Sequence, residues 1–94
     1  MNMSKIQDLQ FNKGTGALFK VEHEGKMVKC FVTQDNEFLT RKASPGQIFP
    51  NIFNRYTSVI YQAAVKNIQT KGIDSNPWGN HITAQDIQEA QREC

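Results

Sequence analysis

Cysteine is scarce in this chain, and the scarcity removes one common way of holding a small domain together. Among 94 residues only Cys30 and Cys94 carry a thiol. Neither belongs to a C-x-x-C pair, so they make neither a disulfide framework nor a redox motif. Histidine is just as sparse: His23 and His81 are the only two, and no two of these four residues stand at the short spacing at which metal ligands gather. Long apolar runs are missing too. Nothing approaches the roughly 20 residues that cross a bilayer, and MNMSKIQDLQ lacks the apolar core of a signal peptide. These absences predict a cytoplasmic protein with no metal, no cofactor and no membrane contact.

A dominant charge is also absent. The formal net charge is +2, whereas a dedicated duplex-DNA binder concentrates many basic residues on one face and an acidic nucleic-acid mimic carries a large negative excess. What the chain does have is ordinary core material, with 38% apolar and 10% aromatic residues, which argues for a folded domain rather than a disordered one. A chain of this length makes a single domain over 1–94 and buries a little under two-thirds of the surface its unfolded form exposes.

The first half reads as strands. Ile6, Leu9 and Phe11 alternate weakly, and Asn12–Gly16 has turn composition. Ala17, Phe19 and Val21 then alternate with Lys20 and Glu22, as on a half-buried strand. Glu24-Gly25 is a tight connection to Lys26–Thr33, which is rich in β-formers, so a hairpin is expected at about 17–33. Asp35-Asn36-Glu37 has helix-start composition, with Phe38 and Leu39 to follow, and Ala43-Ser44-Pro45-Gly46 ends that short helix.

The second half reads as helices. Pro50 suits a first helical position and Gly72 a helix end. Between them Ile52, Phe53, Tyr56, Val59, Ile60, Ala63 and Ala64 recur at three- and four-residue steps, predicting one long helix over about 50–71. Those residues fill an arc of about 140°, the normal width of a core-facing stripe. Tyr61, Val65 and Ile68 lie on one shoulder outside it, and Asn67 falls within it. Either the chain's own C-terminal helix covers this shoulder, or a partner does. IDSNPWGN is loop chemistry, His81-Ile82 fits a short strand, and Thr83-x-x-Asp86 resembles a capping box opening a short amphipathic helix through Ala84, Ile87 and Ala90. Strands first and helices after is an α+β layout. We therefore expect a small antiparallel sheet packed on the long helix, with a short helix at the C-terminus.

Chemistry is harder to find. Cys30, His81 and Asp86 make a Cys/His/Asp set on paper, but Cys30 sits in an apolar run beside no cation that would lower its pKa. Lys13-Gly14-Thr15-Gly16 lacks the spacing of a phosphate loop, and no helix follows it. We expect no enzyme. A binding role has more support. Trp78, the single tryptophan, lies in a loop and is a natural hot spot or core lid. With Tyr61, Val65 and Ile68 it is the expected surface for another protein or a second copy of the chain. The alternative is a weak binder of single-stranded nucleic acid, in which Lys20, Lys26 and Lys29 hold phosphates and Phe31 stacks on bases. Against it, Glu22, Glu24 and Glu37 dilute the basic field.

The run of Gly25, Val28, Cys30, Val32 and Thr33, then the helix with Phe53, Tyr56, Ile60, Ala64 and Ile68, then Ile82, Thr83 and Asp86 resembles a family of short uncharacterised bacterial proteins. Its members share a glycine turn, a G-x-x-V-x-C-x-[IV]-[ST] strand, a long helix and a closing I-T-x-x-D. The resemblance implies an α+β fold and carries over no catalytic residue. The expectation is thus a small non-enzymatic binding or regulatory protein. An accessory protein of a phage or mobile element that blocks a host complex fits the same features.

Overall fold

Alternation of apolar and polar side chains turns the first half into a meander. In the computed structural model, which describes residues 6–12, 14–43, 45, 46, 48–74 and 77–93, three antiparallel strands follow one another: β1 (Ile6–Asn12), β2 (Gly16–His23) and β3 (Lys26–Thr33). The expected hairpin is β2–β3, paired from Gly16 with Thr33 to His23 with Lys26. Glu24 and Gly25, both at positive φ, form the connection, as a two-residue turn of the I′ kind requires. One face of this sheet buries Ala17, Phe19 and Val21 from β2 with Val28, Cys30 and Val32 from β3. β1 enters the pairing with a bulge between Gln7 and Gln10, where Asp8 takes positive φ.

The sheet gains a fourth strand that antiparallel hairpins alone do not supply. β4 (Asn80–His81) lies parallel to β3, pairing Cys30 with Asn80 and Phe31 with His81, so the sheet is mixed with order β1-β2-β3-β4. The fold is α+β, as the order of strands and helices implies.

Helices pack on the buried face. α1 (Glu37–Lys42) is capped by Asn36, whose Oδ1 accepts from the Phe38 and Leu39 amides at 3.0 and 3.3 Å. The span expected as one long helix holds two: α2 (Phe49–Arg55) and the 15-residue α3 (Thr57–Lys71). They part at Tyr56, at φ −109° and ψ 21°. The Thr57 hydroxyl donates to the Phe53 and Asn54 carbonyls at 3.2 and 2.8 Å, taking up acceptors that a continuous helix would give to amides. The break lets Phe53 reach the strands, with its ring 5.5 Å from Phe11 and 5.7 Å from Phe19, while Tyr56 sets its ring edge-on to Phe38 at 5.5 Å.

α4 (Ala84–Glu93) packs against α3 and buries Ile87 and Ala90. Its start is the capping box read from the sequence: Asp86 Oδ2 accepts from the Thr83 amide at 2.9 Å, and the Asp86 amide donates to the Thr83 hydroxyl at 3.2 Å. Among the described residues, no helix is long and apolar enough to cross a membrane.

Candidate functional site

Strand alternation gives every outward side chain of β2 and β3 a neighbour on one uncovered face. Leu18, Lys20 and Glu22 point there from β2, and Met27, Lys29, Phe31 and Thr33 from β3. The helices occupy the other side. Lys20 stands directly opposite Lys29 in the β2–β3 register. Phe31 stacks on His81 of β4, with ring centroids 4.7 Å apart and planes within 6° of parallel. Lys26 is separated from this group. It has the parity of Val28 and Cys30 and lies at the end of the strand next to the turn, so of the expected nucleic-acid residues Lys20, Lys29 and Phe31 share a face and Lys26 does not.

The loop between α3 and β4 comes over the edge of the same face. Gly79, at φ +91°, lies so close to β3 that a Cβ there would stand 2.2 Å from the Lys29 carbonyl oxygen. Only glycine fits that approach. Pro77 and Trp78 are thereby carried above the strands, where they close one side of a groove of about 420 Å³ whose other walls include Asp8, Gln10, Leu18, Lys20 and Lys29. Trp78 keeps 52% of its surface exposed. At the groove's far wall Lys20 Nζ lies 3.3 Å from Asp8 Oδ2, an ion pair made possible by the β1 bulge.

Behind the loop lies a network of buried amides. Asn80 Nδ2 donates to Asn67 Oδ1 at 2.9 Å and to the Gly72 carbonyl at 2.8 Å, while its Oδ1 accepts from the Asp74 amide at 2.9 Å. Asn67 Nδ2 in turn donates to the His81 carbonyl at 3.2 Å and to Asp86 Oδ2 at 3.1 Å. Asn36 Nδ2 reaches the Ile82 carbonyl at 3.4 Å. Three buried asparagines thus tie Gly72, Asp74, His81 and Ile82 into the fold beside the sheet and α3, and no buried side-chain polar atom among the described residues lacks a partner. Sequence reasoning placed Asn67 on the buried arc of the helix. It missed Asn80, whose role depends on a partner 13 positions away.

The helix shoulder is different from what either expectation described. Ile68 is closed into the core with 4% exposed and offers a partner nothing while the domain is folded. Tyr61 and Val65 are half-buried. α3 and α4 form a cleft lined by Ala63, Lys66, Thr70, Asp86 and Glu89, on the other side of the buried arc from Tyr61 and Val65. Trp78 and the shoulder occupy opposite sides of the sheet and make no single surface.

The Cys30, His81 and Asp86 set does not assemble. Cys30 points into the core with 1% exposed, and burial pushes its thiol up to about 12 from 9.0. His81 faces the opposite side of the sheet against Phe31, and Asp86 is engaged by Thr83 and Asn67. Among the described residues no group of three or more His, Cys, Asp or Glu could hold a metal ion. Comparison of the chain with protein-family models, with curated proteins and with solved structures finds no match.

Proposed function

We propose that this chain is a non-enzymatic binding module that acts through protein contacts, and that its contact surface is the open face of the sheet around Trp78. The observation that carries this reading is the half-exposed tryptophan that stands over the strands next to the close approach of Gly79 to Lys29. Tryptophan is enriched at the energetic centres of protein interfaces. The groove beside it mixes apolar residues, Leu9 and Leu18 among them, with an amide, an acid and two lysines, the blend of a non-obligate interface. Regulation of a larger assembly, including a host complex blocked by a mobile-element protein, is the biological role such a module suits.

The test is affinity capture from the native host after nuclease treatment, with Trp78→Ala and the double variant Tyr61→Ala/Val65→Ala run beside the natural chain. A partner retained at moderate salt, lost with Trp78→Ala and kept by the double variant, is the expected result. Retention by Trp78→Ala and loss with the double variant would move the surface to the helix shoulder and refute the assignment.

A second reading has its own observation. Lys20 opposite Lys29, with the Phe31–His81 stack on the same face, is a layout that single-strand readers use for phosphates and bases. It predicts binding of an oligothymidylate that weakens steeply as salt rises. The Asp8 carboxylate on Lys20 and Glu22 two residues along oppose it.

A further inference from the structure

Three ionised side chains line the groove under Trp78, and they do not cancel. Lys20 is neutralised by Asp8 at 3.3 Å. Lys29 is exposed and has no ion pair among the described residues. Glu22, the nearest further acid on this face along β2, stands opposite Met27 and outside the groove wall. The groove therefore carries one uncompensated positive charge beside an indole ring and a leucine.

Size and rigidity narrow the occupant. A volume of about 420 Å³ lies at the small end of the range for compact ligands and accommodates one or two side chains rather than a folded surface. Part of its wall is anchored to the sheet. Gly79 is pressed on the Lys29 backbone, and Asn80 bonds the Gly72 carbonyl and the Asp74 amide. Backbone fixed in this way lowers the ordering cost of binding a flexible segment.

Resting on the protein-contact reading above, we propose that the groove receives a short linear segment of a partner protein in which an aliphatic or aromatic side chain lies next to a carboxylate. The apolar side chain fills the space between Trp78 and Leu18, and the carboxylate takes the Lys29 ammonium. A segment of reversed charge meets Lys29 unpaired and is excluded, so Lys29 sets specificity and Trp78 supplies most of the contact area.

Because Trp78 is the only tryptophan, its emission reports the groove directly. The full chain is titrated with an acetylated, amidated heptapeptide of alternating leucine and aspartate. Counterparts with asparagine or lysine in place of aspartate, and octathymidylate, are titrated in the same way. A saturable blue shift with the acidic peptide, at least tenfold weaker with the lysine peptide, is expected. Lys29→Glu should reverse that order and Lys29→Gln should level it, with far-ultraviolet circular dichroism confirming that both variants fold. Equal binding of the acidic and asparagine peptides, no shift with any peptide, or tighter binding of octathymidylate overturns the proposal. A captured partner released by Trp78→Ala but indifferent to Lys29→Glu overturns this inference alone. Indifference to both variants overturns the protein-contact reading of this face as well.

Discussion

Replacing Gly79 with alanine tests the feature on which the whole outer face depends. The new Cβ would stand 2.2 Å from the Lys29 carbonyl oxygen and 2.4 Å from its carbonyl carbon. Both atoms belong to the backbone of a strand paired on either side, so neither can swing away as a flexible side chain would. Overlap of this kind costs about 1–3 kcal/mol even after local shifts. A positive φ adds about 1 kcal/mol for any residue with a Cβ. If the loop lifts to relieve the clash, the hydrogen bonds of Asn80 are weakened, at about 1 kcal/mol each. We expect a total loss of about 4 kcal/mol, a large share of the stability of so small a domain. Gly25→Ala is the control, because Gly25 has φ +80° and nothing within 4 Å of the added atom. It should cost only about 1 kcal/mol, from backbone conformation alone. Urea unfolding followed by far-ultraviolet circular dichroism gives both values, and Trp78 emission shows whether the loop has left the sheet. Two variants within about 1 kcal/mol of each other, with Trp78 emission unchanged, would refute the argument that close packing on β3 holds this loop.

The amide network, the aromatic core and the buried thiol each give a further expected outcome. Asn80→Ala removes the hydrogen bonds to the Asn67 side-chain oxygen, the Gly72 carbonyl and the Asp74 amide, and should cost about 2–4 kcal/mol with faster hydrogen exchange at Asp74 and over residues 80–82; protection equal to that of the natural chain would count against the latch. Phe53→Ala removes the ring shared by Phe11, Phe19 and Phe49, and a loss of about 3–5 kcal/mol is expected by urea unfolding. Cys30 keeps its proton in the folded chain up to about 12, against 9.0 unfolded, so its contribution is complete below about pH 9. It declines by up to about 1.4 kcal/mol per pH unit as pH rises toward the folded value. In a Cys94→Ser background, iodoacetamide at mildly alkaline pH should label Cys30 only in denaturant, and rapid labelling of the native form would contradict its burial.

Local patterns made much of this fold legible. The β2–β3 hairpin follows from alternation around Glu24-Gly25, α1 from the cap at Asn36, and α4 from Thr83 and Asp86, because each of these signals acts over a few residues. The helix break at Tyr56 escaped the pattern, since three- and four-residue spacing continues through it. What bends the chain there is a hydroxyl on Thr57 and a ring contact with Phe38, 18 positions earlier. A short strand was legible at His81-Ile82, and it forms one residue earlier, as β4; its parallel pairing with β3 was not, because that pairing joins Cys30 to Asn80 and Phe31 to His81, far apart in the chain.

By itself, then, the sequence determined the class of fold and most of the apolar residues it would bury, because hydrophobic spacing and turn chemistry are properties of neighbours. It also restricted the chemistry, through its few cysteines and histidines and its modest charge. Only the tertiary structure decided which polar and aromatic residues would meet. Lys20 and Lys29 came together while Lys26 went to the other side, Ile68 was drawn into the core, and Trp78 was set over the sheet by a glycine and three asparagines. Those outcomes depend on register, on one close backbone approach and on hydrogen bonds between distant amides, and no short stretch of chain encodes any of them alone.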